Sequence, residues 1–238
     1  MKNTDLGIIK PLAYGLGFIA YSFFFLSCQP AKQTLTRFQV TSLKALDLEE
    51  TLTRTDELLM AYTLTSFDAW GKAVGVSSGS WGIQTARTGQ EFRESAFQPI
   101  EIPVPKNGKI VATVVLVEID DYAQAQKTLA EIRRYHDFIK VPAALAELAD
   151  VALTPLKYLS LGLAATGVGF QLANRLDDDD LLGQNSTELS YQEAMTTPTV
   201  RVPLTFKETH LGSSYHYELS YDLRTQRVRL RPQQKPKS

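Results

Sequence analysis

The sequence predicts a mainly β protein, an antiparallel β-sandwich of about eight strands interrupted by a helical insertion of about 55 residues. Three observations carry this. Runs of strand-forming residues fill the chain before about Asp121 and again after Ser186. Between them the apolar residues switch to helical spacing, with Tyr122, Ala125, Leu129, Ile132 and Tyr135 on one stripe. No βα alternation occurs, which disfavours a doubly wound sheet or a barrel of parallel strands. Composition agrees: 238 residues, 44% hydrophobic and 21% charged, are those of a folded chain with a real core. A net charge of −1 excludes a general nucleic-acid binder, and one cysteine with three histidines excludes a disulfide scaffold or a cysteine-rich zinc fold.

The first element is a leader. Pro11 to Ser27 carries no charge, follows Lys2 and Lys10, and ends at Cys28, Gln29 and Pro30. The step Phe25-Leu26-Ser27-Cys28 resembles the lipobox of bacterial lipoprotein signals. That resemblance implies a signal peptide over 1–27, a covalent lipid on Cys28, and, through Gln29, the outer membrane with a periplasmic or surface-facing protein. An uncleaved N-terminal anchor is the alternative, and either way the partner is a lipid bilayer. Loss of residues 1–27 removes Lys2, Lys10 and Asp5 and leaves a net charge of −2. Residues 28–36 read as anchor and linker.

Strands follow over 37–223. Phe38 to Leu46 alternates loosely, and Glu57 to Thr65 is dense in strand formers. Gly75 to Gly82 reads as a Gly/Ser-rich turn before a strand at Trp81. Phe97 to Pro105 reads as an extended piece ending in the Asn107-Gly108 hairpin signal. Lys109 to Ile119 is nearly unbroken in apolar residues, as in a central strand covered on both faces. The helical insert spans 121–176, with Pro142 and Pro155 opening its later helices. Strands return at Ser186–Tyr191, Val200–Lys207 and Tyr215–Leu223, and residues 224–238 read as a basic, frayed tail.

Acids flank the insert. Glu118-Ile119-Asp120-Asp121 precedes it and Asp177-Asp178-Asp179-Asp180 closes it. Four adjacent carboxylates repel one another, so solvent, a helix end or a cation must favour them, and calcium wants six to eight such oxygens. Here the chain resembles the C-two-type calcium- and lipid-binding domain, a β-sandwich. Val117-Glu118-Ile119-Asp120-Asp121 matches the end of one of its strands loosely. Asp179-Asp180-Leu181-Leu182-Gly183 matches the opening of the next, and Asp56 stands where an inner strand opens with aspartate. The resemblance implies a calcium site from Asp120, Asp121, Asp178, Asp179 and Asp180, with Glu118 and Asp56 as weaker candidates.

Tyr158 to Ala173 carries no charge and holds Gly162, Gly167 and Gly169. It packs on the sandwich, or it contacts lipid or a protein partner through Tyr158, Leu161, Leu163, Val168 and Phe170. Gly75-Val76-Ser77-Ser78-Gly79 fits a nucleophile-elbow pattern on paper, but a strand follows where a helix is needed. His136, His210 and His216 complete no triad, and Asn185-Ser186-Thr187 is a glycosylation pattern only in a host that uses it. The leading expectation is a non-enzymatic binding module at a membrane surface. A structural subunit of an envelope-spanning assembly comes second, and a hydrolase using Ser77 third.

Overall fold

A computed structural model describes residues 32–48, 54–119, 181–209 and 214–229. They form β1 (Lys32–Asp47), β2 (Thr55–Phe67), β3 (Ala73–Arg87), β4 (Glu91–Arg93), β5 (Ile100–Pro103), β6 (Lys109–Glu118), β7 (Leu181–Ser190), α1 (Tyr191–Thr196), β8 (Thr199–Thr209) and β9 (Ser214–Arg229). The mainly β expectation holds. Residues 121–176, read as a helical insert, lie outside the described residues, as do Cys28 and the leader. Among the described residues the one α-helix is the short α1.

Two sheets form the sandwich. In the first, β8, β9 and β1 lie side by side, with β4 and β5 both on the far edge of β1. The second runs β3-β2-β6-β7 with antiparallel pairs throughout. Side chains fix the β1–β9 direction. Thr36 meets Thr225 at 2.9 Å, the Thr41 hydroxyl donates to the Ser220 carbonyl at 3.0 Å, and the Ser214 hydroxyl donates to Asp47 at 2.8 Å. The partner's number falls as the β1 number rises, so the first and last strands are antiparallel.

The alternation of strand residues puts the core between the sheets. From the second sheet come Leu58, Met60, Tyr62, Leu64, Ile110 and Leu116; from the first, Phe38, Leu43, Tyr217, Leu219, Tyr221 and Leu223 meet them. Phe38 stacks on Tyr62 at 5.0 Å across the sandwich and lies tilted against Tyr221 at 4.6 Å within its own sheet. Aromatic pairs of this kind add about 0.5–1.5 kcal/mol each beyond their buried area. β6 is central, and Val111, Thr113, Val115 and Val117 on its other face are buried as well, as its sequence suggests.

Four boundaries are corrected. β1 begins at Lys32, inside the expected linker, because Leu35 to Phe38 find partners in Pro103 to Ile100. Gly75 to Gly82 is no turn but the middle of β3, and Gly79 is there for space: a Cβ would come 2.5 Å from the Tyr62 ring. Asn107 does take the left-handed conformation of a tight turn, at φ 58°. That turn joins β5 to β6, which belong to different sheets, so it makes a corner and no hairpin. The expected tail starts late, since β9 runs to Arg229.

Candidate functional site

The register shows which residues gather at each end of the sandwich. Glu118 pairs with Leu58, the Ile119 amide donates to the Glu57 carbonyl at 2.8 Å, and Val117 pairs with Leu181. The chain therefore leaves at Ile119 and returns at Leu181 side by side, at the end of the second sheet where β2 begins. Asp120, Asp121, Asp178, Asp179 and Asp180 lie outside the described residues. So do Tyr158, Leu161, Leu163, Val168 and Phe170.

Asp56 and Glu118 are described. Both lie on the core-facing side of the second sheet, by alternation with Leu58 and Leu116. Asp56 is fully buried, and the Tyr217 hydroxyl of the opposite sheet donates to its Oδ2. Its carboxylate thus links the two sheets from inside, where the sequence reading made it a weaker calcium candidate. Among the described residues no group of three or more His, Cys, Asp or Glu lies close enough to hold a metal ion. Ser77 is buried in β3 opposite Leu64 and sits on no strand-to-helix turn. Asn185 turns inward too, accepting from the Tyr221 hydroxyl at 3.1 Å. Burial pushes the Tyr221 hydroxyl up to about 12, against its hydrogen bond to Thr187 at 2.7 Å, and burial likewise raises Tyr62.

A charged cluster that the sequence reading missed spans β8, β9 and the turn after β4. The Asp222 side chain, 2% exposed, accepts from Arg201 Nε at 2.8 Å and Nη2 at 3.1 Å, and from Arg224 Nη2 at 3.0 Å. Arg224 also reaches Glu94 at 3.1 Å. The Arg201 hydrogen bond, with Arg224 in support, holds the Asp222 carboxyl below the usual carboxylate range despite burial. The signal was available in outline, as Arg201 stands directly opposite Asp222, but only the pairing reveals it. Beside it lies a surface hollow of about 410 Å³ lined by Arg37, Pro198, Thr199, Arg224, Thr225 and Gln226. Glu101 at 3.7 Å from Arg37 and Glu94 on Arg224 balance its charge, so it offers no cationic cradle.

The end of the sandwich away from Ile119 and Leu181 carries a further missed residue. Trp70 is 82% exposed on the turn between β2 and β3. The turn is well tied: Asp68 Oδ1 accepts from the Trp70 and Lys72 amides, both at 2.9 Å, and Gly71 takes φ 80°. An ordered turn that holds an indole in solvent has the form of a contact point, because Trp dominates buried cores and interfaces. Among the described residues no helix is long and apolar enough to cross a membrane. No family model matches the chain, and no characterised protein matches it by sequence.

Proposed function

We propose that the protein is a membrane-anchored, non-enzymatic lipoprotein whose sandwich acts as a binding module. It is held to the bacterial outer membrane through lipid on Cys28 and contacts a protein partner through its far end. One observation supports this best. β1 begins at Lys32, so only residues 29–31 separate Cys28 from the folded module. The gap between Ile119 and Leu181 opens at the other end. From the Phe67–Lys109 pair to the Leu58–Glu118 pair is roughly 30 Å at about 3.3 Å per residue. A short tether at one end and the Ile119–Leu181 gap at the other suit a module that stands on a membrane with its far end free for a partner.

In its finer form the reading has a C-two-type sandwich with a helical insert over 121–176. Calcium would be held by Asp120, Asp121, Asp178, Asp179 and Asp180, with Glu118 at the rim. Asp56 contributes least, because Tyr217 already uses its carboxylate inside the core. The same tethered geometry also suits a second reading, a structural subunit of an envelope-spanning assembly, which would need no metal.

Palmitate labelling in cells tests the anchor: the wild-type chain incorporates label and Cys28→Ala does not. Label retained in Cys28→Ala, or absent from the wild type, overturns the lipoprotein reading. Calcium is tested separately. A ligand bound only by the native state raises the midpoint of unfolding, so equal midpoints in calcium and in chelator remove the metal.

A further inference from the structure

The end of the sandwich that carries Trp70 also gathers parts of β1, β5, α1 and β9. The Val104 amide donates to the Thr34 carbonyl at 2.9 Å, which brings the start of β1 against the end of β5. The turn at residues 105–108 follows, and a Cβ on Gly108 would strike the Phe67 carbonyl, so this turn abuts the one holding Trp70. The Tyr191 amide donates to the Gly108 carbonyl at 2.9 Å and places α1 here too. Thr34 and Arg227 both reach Met195 of α1, at 3.5 and 3.7 Å, so the last residues of β9 complete the group.

Three cations at this end stand without a carboxylate partner: Lys72, Lys106 and Arg227 are exposed, and none of them forms an ion pair among the described residues. The nearby acids are already engaged: Asp68 holds its own turn, Glu188 pairs with Lys109 at 2.8 Å, and Glu193 closes the capping box on Ser190. An exposed indole among unpaired cations is the composition that settles at the boundary of an anionic bilayer. The ring prefers the headgroup level, and each Lys or Arg near the surface strengthens binding about 5-fold.

We infer that this end, with Trp70 as the inserting side chain and Lys72, Lys106 and Arg227 as its cationic rim, docks on the anionic lipid surface. The inference rests on the anchored reading above, and the two fail differently. The test uses the full lipidated chain on vesicles of neutral lipid, with or without phosphatidylglycerol, each doped with a lipid bearing a shallow nitroxide. Flotation reports the anchor; quenching of indole emission reports Trp70. Buried Trp81 supplies an unquenched background, read directly from Trp70→Phe. The expected result is a blue-shifted, nitroxide-quenched Trp70 signal on anionic vesicles. It weakens when Lys72→Ser and Lys106→Ser are combined, and it is absent from Trp70→Phe. A chain that floats while its Trp70 emission stays that of water-exposed indole overturns the docking and leaves the anchor intact. A chain that does not float overturns the anchor and the docking with it. Quenching that is equal on neutral vesicles and indifferent to the lysines overturns the cationic rim.

Discussion

Asp222→Asn tests the charged cluster with little change of shape. The wild-type carboxylate is 2% exposed and accepts three arginine hydrogen bonds at 2.8, 3.1 and 3.0 Å. Asparagine keeps one acceptor oxygen and turns an NH2 toward guanidinium donors. Charge-assisted bonds are worth about 1.5–3 kcal/mol each when fully buried. Arg201 and Arg224, however, are 68% and 40% exposed, so water takes up the donors that are released and screens the pair. Desolvation of the wild-type carboxylate also offsets part of its gain. The net loss expected at pH 7 is about 1–2 kcal/mol. The sign with pH follows from the lowered carboxyl. A folded-state pKa below the unfolded value, about 3.9, means stability fully present above that pH and lost as pH falls through the folded value. Urea unfolding followed by Trp81 emission at pH 7, 5 and 3 should show the gap between wild type and Asp222→Asn unchanged from 7 to 5 and shrinking by 3. A gap that stays constant to pH 2.5, or no gap at pH 7, refutes the reasoning.

Three further outcomes follow from the packing. A Cβ on Gly183 would overlap the Phe206 ring; Gly183→Ala should therefore cost about 1–3 kcal/mol. Phe206→Ala should cancel most of that cost in a double-mutant cycle, and simple additivity would refute the clash. Tyr217→Phe removes the hydroxyl that crosses the sandwich to Asp56, with an expected loss of about 1–3 kcal/mol in urea unfolding; a neutral result would show the carboxyl fully served by its other contacts. Ser190→Ala opens the capping box in which the Ser190 hydroxyl and the Glu193 amide meet at 3.2 Å. It should cost about 1 kcal/mol and speed amide exchange in α1, and unchanged exchange there would refute a role for the cap.

What could be read in the sequence was local. Tyr217, Leu219, Tyr221 and Leu223 alternate in β9 and all reach the core, and the apolar run of β6 marks a central strand. What could not be read depends on a neighbour far along the chain. Gly79 belongs to a Gly/Ser run that has every local mark of a turn, yet it lies in a strand because the Tyr62 ring occupies the space a side chain would need. Asn107 makes the turn its sequence announces, but turn chemistry does not say whether the next strand stays in the sheet, and here it crosses to the other. Asp56 carries the same carboxylate as the acids around the insertion, and only the register with Leu58 turns it inward onto Tyr217. The grouping of exposed residues at the Trp70 end is of the same kind. Trp70, Lys106 and Arg227 stand far apart in sequence, each unremarkable among a net charge of −1. The pairing of β2 with β6 and of β1 with β5, with Thr34 and Arg227 both reaching Met195, gathers them at one end. That gathering is therefore a property of strand register, and no compositional average can carry it.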